Sequence, residues 1–134
     1  KPTNTSDNQN LAINTTHEIA FGTEIFDIGA NFASSAFTAP HTGKYQLNAH
    51  IRTNQLDQDT SYHELSIVTS NRTYTHIVPI SSMSSDAGYY TMNIHVLADM
   101  DASDTAIVRF HIPNSGAAIA DIEQDSYFQG FYVC

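Results

Sequence analysis

Apolar and polar residues alternate strictly over several short stretches of this chain. From Gly43 onward, Tyr45, Leu47, Ala49 and Ile51 interleave with Gln46, Asn48, His50 and Arg52. Met92, Ile94 and Val96 alternate with Thr91, Asn93 and His95, while Ala106, Val108 and Phe110 alternate with Ile107, Arg109 and His111. A period of two puts successive side chains on opposite faces of a β-strand, so each stretch predicts a strand with one buried face. The candidate strands are Leu11–Phe21, Ile25–Ile28, Gly43–Thr53, Ser61–Thr69, Thr73–Ile80, Gly88–Ala98, Thr105–Ile112 and Ser126–Cys134. Between them lie "DIGAN", "TAPHTG", "NQLDQDT", "SNRT", "SSMSSDAG", "DMDASD" and "PNSGAA", all rich in turn-forming residues. No window carries a helical period.

Many short strands at this spacing predict an all-β sandwich or jelly roll. Tyr45, Leu47, Ala49, Ile51, Leu65, Ile67, Met92, Ile94, Val96, Val108, Phe110, Phe128 and Phe131 are its expected core. Strict alternation would put Phe128 and Phe131 on opposite faces. A bulge permitted by Gly130 is therefore expected to return both to the interior. Residues 1–10 contain no apolar side chain but Pro2 and read as an arm or linker, leaving one domain over 11–134.

At 41% hydrophobic, the 134 residues suffice to bury a core. Fourteen Asp and Glu against five Lys and Arg give a net charge of −9. That balance argues against nucleic acid, whose phosphates require a basic stripe, and against anionic membrane surfaces. No apolar run approaches the ~18 residues of a membrane span, and no signal peptide is visible. The one cysteine, Cys134, has no partner for an internal disulfide; an unreactive thiol is expected, with an interchain bond as the alternative. A start at Lys1 rather than Met suggests a fragment or processed product.

The phrase "AFGTEIFDIGANF…AFTAPHTGKYQLNAHI" resembles the opening of the globular head of complement component one-q, a relative of tumour necrosis factor. The matching positions are Phe26, Asp27, Gly29 and Phe32, then Phe37, Thr38, Ala39, Pro40, Gly43 and Tyr45. "HVLADMDASDTAIVRF" resembles a later family phrase, with Asp104 at its aspartate and Ser103 in place of the usual glycine. "SYFQGFYVC" resembles the closing strand through Phe128, Gly130 and Phe131. More loosely, "SYHELSIVTSNRTY" and "VLADMDASDTA" are similar to phrases of fibre and surface proteins of marine tailed phages.

The resemblance implies a ten-stranded jelly roll assembled as a homotrimer, with the Tyr45 strand in the inner sheet. It also explains why the polar face of that strand is so poor in charge. A face that meets copies of itself does not hold many like charges, whereas Asn, Gln, Thr, Tyr and neutral His can hydrogen-bond across a symmetry axis. The expected trimer face is Gln46, Asn48, His50, Tyr89, Thr91, Asn93, His95 and Tyr132.

Other candidate chemistry is sparse. The seven histidines include no H-E-x-x-H or H-x₃₋₅-H arrangement. His50 and His95 belong on neighbouring strands, where three copies would gather them near one axis, and hydrogen bonding is favoured there over metal ligation. Asp99, Asp101 and Asp104 suggest calcium. However, Asp104 stands where an EF-hand loop needs Gly and Phe110 where it needs Glu, so a hairpin with Asx turns is preferred. No nucleophile elbow, phosphate loop or Cys–His pair supports catalysis, and Asp57 and Glu64 do not stand out as an acid–base pair. N-x-S/T sequons start at Asn4, Asn14 and Asn71 and matter only in a eukaryotic secretory protein.

The leading expectation is a non-enzymatic trimeric head on a virion surface, contacting a host-surface glycan or protein or a capsid neighbour. The alternatives are the head of a secreted complement-like or collagen-like protein and, behind it, a jelly-roll carbohydrate-active enzyme domain. A virion-surface or extracellular location follows from the first two.

Overall fold

A computed structural model describes residues 2, 8–113 and 120–134. The Asn4 sequon, most of the expected arm and nearly all of the "PNSGAA" turn lie outside the described residues. The described chain forms ten strands: β1 (Thr15–Glu18), β2 (Phe32–Ala33), β3 (Ala36–Thr38), β4 (Gly43–Leu56), β5 (His63–Thr69), β6 (Thr73–Val78), β7 (Ala87–Met100), β8 (Thr105–Ile112), β9 (Asp121–Ile122) and β10 (Tyr127–Tyr132). No α-helix occurs among the described residues; Ile80–Ser82 makes one 3-10 turn.

The strands form two antiparallel sheets. One runs β2-β3-β8-β5-β6, with β1 also on β8; the other runs β10-β4-β7, with β9 also on β4. Their apolar faces enclose the core of a jelly-roll sandwich. Tyr45, Leu47, Ala49, Ile51, Met92 and Ile94 of the smaller sheet and Leu65, Ile67, Val108 and Phe110 of the larger are all buried, as the alternation requires. Val96 and Phe128 are half-buried and pack against that core. Burying one such side chain contributes about 1.5–3 kcal/mol.

The shared motifs have physical reasons here. The buried Tyr45 hydroxyl donates to His41 O at 2.7 Å and accepts from His41 N at 3.2 Å, closing the turn that precedes its own strand. Gly43 has no room for a side chain, because a Cβ there would lie 2.3 Å from Cys134 O and 2.6 Å from the Tyr132 ring. Ala39 N donates to Asp104 O and Ser103 N donates to Ala39 O, both at 2.8 Å. That pairing ties the "TAP" segment to the β7–β8 hairpin.

Three expectations are corrected. Ile25–Ile28 is a loop rather than a strand, because the Asp27 carboxylate accepts Phe32 N at 2.9 Å and Ala30 adopts φ +51°, which turns the chain. Leu11–Phe21 is strand only over β1, with single bridges from Leu11 to Ala120 and from Phe21 to Pro2. The Gly130 bulge is absent. β10 pairs β4 in unbroken register, with Phe128 opposite Ala49, Gly130 opposite Leu47 and Phe131 opposite Gln46. Phe131 therefore points outward and is 61% exposed.

Candidate functional site: the outer face of the four-stranded sheet

Regular register fixes which side chains share the face turned away from the core. Across β10, β4 and β7 the rows are Phe131·Gln46·Leu97, Gln129·Asn48·His95 and Tyr127·His50·Asn93, followed by Arg52·Thr91 and Asn54·Tyr89. Seven of the eight expected trimer-face residues therefore lie together. Tyr132 does not. It pairs with Tyr45 on the core side, its ring 5.2 Å from the Tyr45 ring and 6.3 Å from that of His41. The expectation for Tyr132 and that for Phe131 fail together, since one assumed bulge reversed both.

The centre of the face is a network of uncharged partners. Asn48 Oδ1 accepts from Gln46 Nε2 at 2.9 Å and from His95 Nδ1 at 3.0 Å. His50 Nδ1 donates to Asn93 Oδ1 at 2.7 Å, while its ring stacks on Tyr127 at 4.8 Å with 5° between the planes. Amide oxygens at Nδ1 make that nitrogen the donor in both imidazoles, so in the neutral ring Nε2 is left as an acceptor. Around this network Leu97 is 57% exposed and Tyr89 56% exposed.

Fixed charge is confined to the two ends. Lys44 pairs with Asp99 at 2.7 Å at one end. At the other, Arg52 pairs with Asp125 at 2.6 Å and lies over the Tyr89 ring at 4.2 Å. Asp125 and the nearby Glu123 hold the guanidinium pKa above its ordinary value. By contrast, the larger sheet carries Glu18, Glu64 and, in mid-strand, Arg109 on its solvent face.

Sequence reasoning missed Leu97, Phe131, Tyr127, Gln129 and the Arg52–Asp125 pair. Parity alone identifies Leu97, which is in phase with His95 and Asn93, and Phe131, which is out of phase with Phe128. Asp125 carries no such signal, because it reaches Arg52 only through the fold.

The aspartate cluster does not assemble a cation site. Asp99 is engaged by Lys44, and Asp104 Oδ2 accepts Asp101 N at 2.9 Å and Asn71 Nδ2 at 2.7 Å. The β7–β8 hairpin closes through a backbone turn, Asp104 N donating to Asp101 O at 3.0 Å, with the Asp104 carboxylate reaching back to Asp101 N rather than forming the expected Asx turn. Among the described residues, no three His, Cys, Asp or Glu side chains converge as metal ligands. His63 lies apart in the core, its ring 5.2 Å from Phe110 and its Nδ1 without a partner, and burial lowers its pKa to about 4. No described helix is long and apolar enough to cross a membrane.

This arrangement of two antiparallel sheets and ten strands is a jelly roll of the kind seen in a complement one-q globular domain. The globular domain of the zebrafish complement 1qA protein matches it with a TM-score of 0.61, over 87% of this chain and 84% of that one, at 12% identity. No protein-family model matches the sequence, and no curated protein matches it.

Proposed function

We propose that the chain is the non-enzymatic head of a homotrimer displayed outside the cell or on a virion. The observation that carries this reading is the outer face of the four-stranded sheet. On a protein of net charge −9, its centre holds only amides, imidazoles, aromatics and exposed Leu97 and Phe131. Desolvating unpaired like charges costs several kcal/mol per ion, and this surface avoids that cost on meeting another copy. Exposed apolar side chains grouped on one face supply the driving force. The complement one-q fold supports the same reading, as a fold reused for assembly and recognition.

Three copies packed through these faces leave the loops at the ends of the sandwich free for a host-surface glycan or protein, or for a capsid neighbour. The virion setting is supported by the phrases "SYHELSIVTSNRTY" and "VLADMDASDTA" alone. Multi-angle light scattering at micromolar concentration tests the assembly. A three-chain mass is expected, and a one-chain mass rejects the reading.

A further inference from the structure

The loop between β1 and β2 presents a second apolar surface. Ile25, Phe26 and Ile28 are 71%, 69% and 100% exposed. This loop is held in shape. The Asp27 carboxylate is turned back onto Phe32 N at 2.9 Å, Ala30 N reaches Asp27 O at 3.4 Å, and hydrogen bonds from Asn31 and Phe32 lower the Asp27 pKa. Its one central charge thus faces its own backbone while three apolar side chains face out.

The position of this tip is also fixed. Phe32, where the loop ends, packs on Phe21 at 6.4 Å and on Phe128 at 6.1 Å. Phe32 lies on β2 and Phe128 on β10, each at the end of its sheet. The tip therefore marks the β10 flank of the sandwich. Exposed Leu97 lies on β7, at the opposite end of the same four-stranded sheet.

A closed ring of three is built from heterologous contacts, in which each chain uses two different patches, one for each neighbour. The apolar tip on one flank and exposed Leu97, between His95 and the Lys44–Asp99 pair, on the other supply two different contact points. We propose that the Ile25–Phe26–Ile28 tip of each protomer docks on the Leu97 side of the next copy's four-stranded sheet. The inference rests on the trimer reading and adds to it the direction of the contact and the element that makes it. A pre-shaped tip loses less conformational freedom on docking than a floppy one.

The test uses two variants whose substituted side chains are exposed, so that the protomer fold is retained: Ile25→Ser with Ile28→Ser, and Leu97→Asp. Sedimentation velocity at 10 μM on wild type should give three chains, and each variant alone one chain. A mixture of the two variants should restore a two-chain species, because one intact tip then meets one intact sheet. If the loop variant keeps the three-chain mass while Leu97→Asp loses it, the tip proposal is overturned and the trimer reading stands. A monomeric wild type overturns both. A loop variant that stays trimeric but no longer co-sediments with phosphatidylcholine vesicles assigns the tip to a membrane and also overturns the proposal.

Discussion

Gly130 lies opposite Leu47 in the β10–β4 ladder, and a Cβ built on it would approach Leu47 Cδ2 to 2.7 Å and Gln46 O to 2.9 Å. The glycine therefore permits close approach of the closing strand to β4, rather than a bulge. Gly130→Ala forces a backbone carbonyl and a buried leucine to move, and a loss of about 1–3 kcal/mol is expected from chemical denaturation. An unchanged denaturation midpoint contradicts the close approach.

Leu47 is 1% exposed between the sheets. Leu47→Ala should cost about 2–5 kcal/mol by the same measurement. Phe131→Ser, at the penultimate pair of the same ladder but facing outward, should change protomer stability by less than about 0.5 kcal/mol. Equal losses in both would mean that the faces of β10 are assigned in reverse.

Ser103 stands where the complement one-q pattern has glycine, and its φ is +77°. A side chain in that conformation costs about 1–2 kcal/mol, part of which glycine returns as unfolded-chain entropy. Ser103→Gly should therefore stabilise the protein by about 0.5–1 kcal/mol, read as a higher melting temperature. A lower melting temperature would show that the Ser103 side chain contributes more than its backbone strain costs.

His63 sets a pH dependence. Its folded pKa of about 4 lies below the ordinary 6.5, because burial opposes the charged ring. Between these values the unfolded chain binds the proton and the folded one does not, so stability falls as pH drops from about 6.5 toward 4. The loss amounts to at most roughly 3 kcal/mol at the lower end. His63→Leu should flatten urea midpoints measured between pH 4.5 and 7, a window above most carboxyl titrations. A wild-type slope that persists in the variant assigns the effect to other groups.

Calcium should leave the protein unaffected. The Asp99 and Asp104 oxygens already serve Lys44, Asp101 N and Asn71, and the exposed Lys44–Asp99 pair is worth about 0–1 kcal/mol. Identical melting curves with 5 mM calcium and with excess chelator are the expected result. A calcium-dependent rise in melting temperature would place a site in this hairpin.

How much of this was legible in the sequence depended on how far each feature reaches along the chain. Period-two alternation is local, so it determined the all-β class, the faces of β4, β7 and β8, and seven of the eight residues expected on the outer face. Their inward partners, such as Leu47, Ile51 and Phe110, follow from the same parity. The motif glycines marked positions where backbones approach, but not what approaches. At Gly130 a bulge and a close strand contact are equally consistent with the letters, and only the register with Leu47 separates them. That choice decides whether Phe131 or Tyr132 faces outward. The Ile25–Ile28 segment is as apolar as a strand, yet the hydrogen bond that Phe32 N donates to the Asp27 carboxylate, with Ala30 at positive φ, turns it into an exposed tip. Arg52 meets Asp125 across 73 residues, and the Lys44–Asp99 pair depends on the β4–β7 register. Long-range pairing of this kind is set by which strands lie side by side and in what register within the sheet, because no local pattern says which distant segment becomes a neighbour.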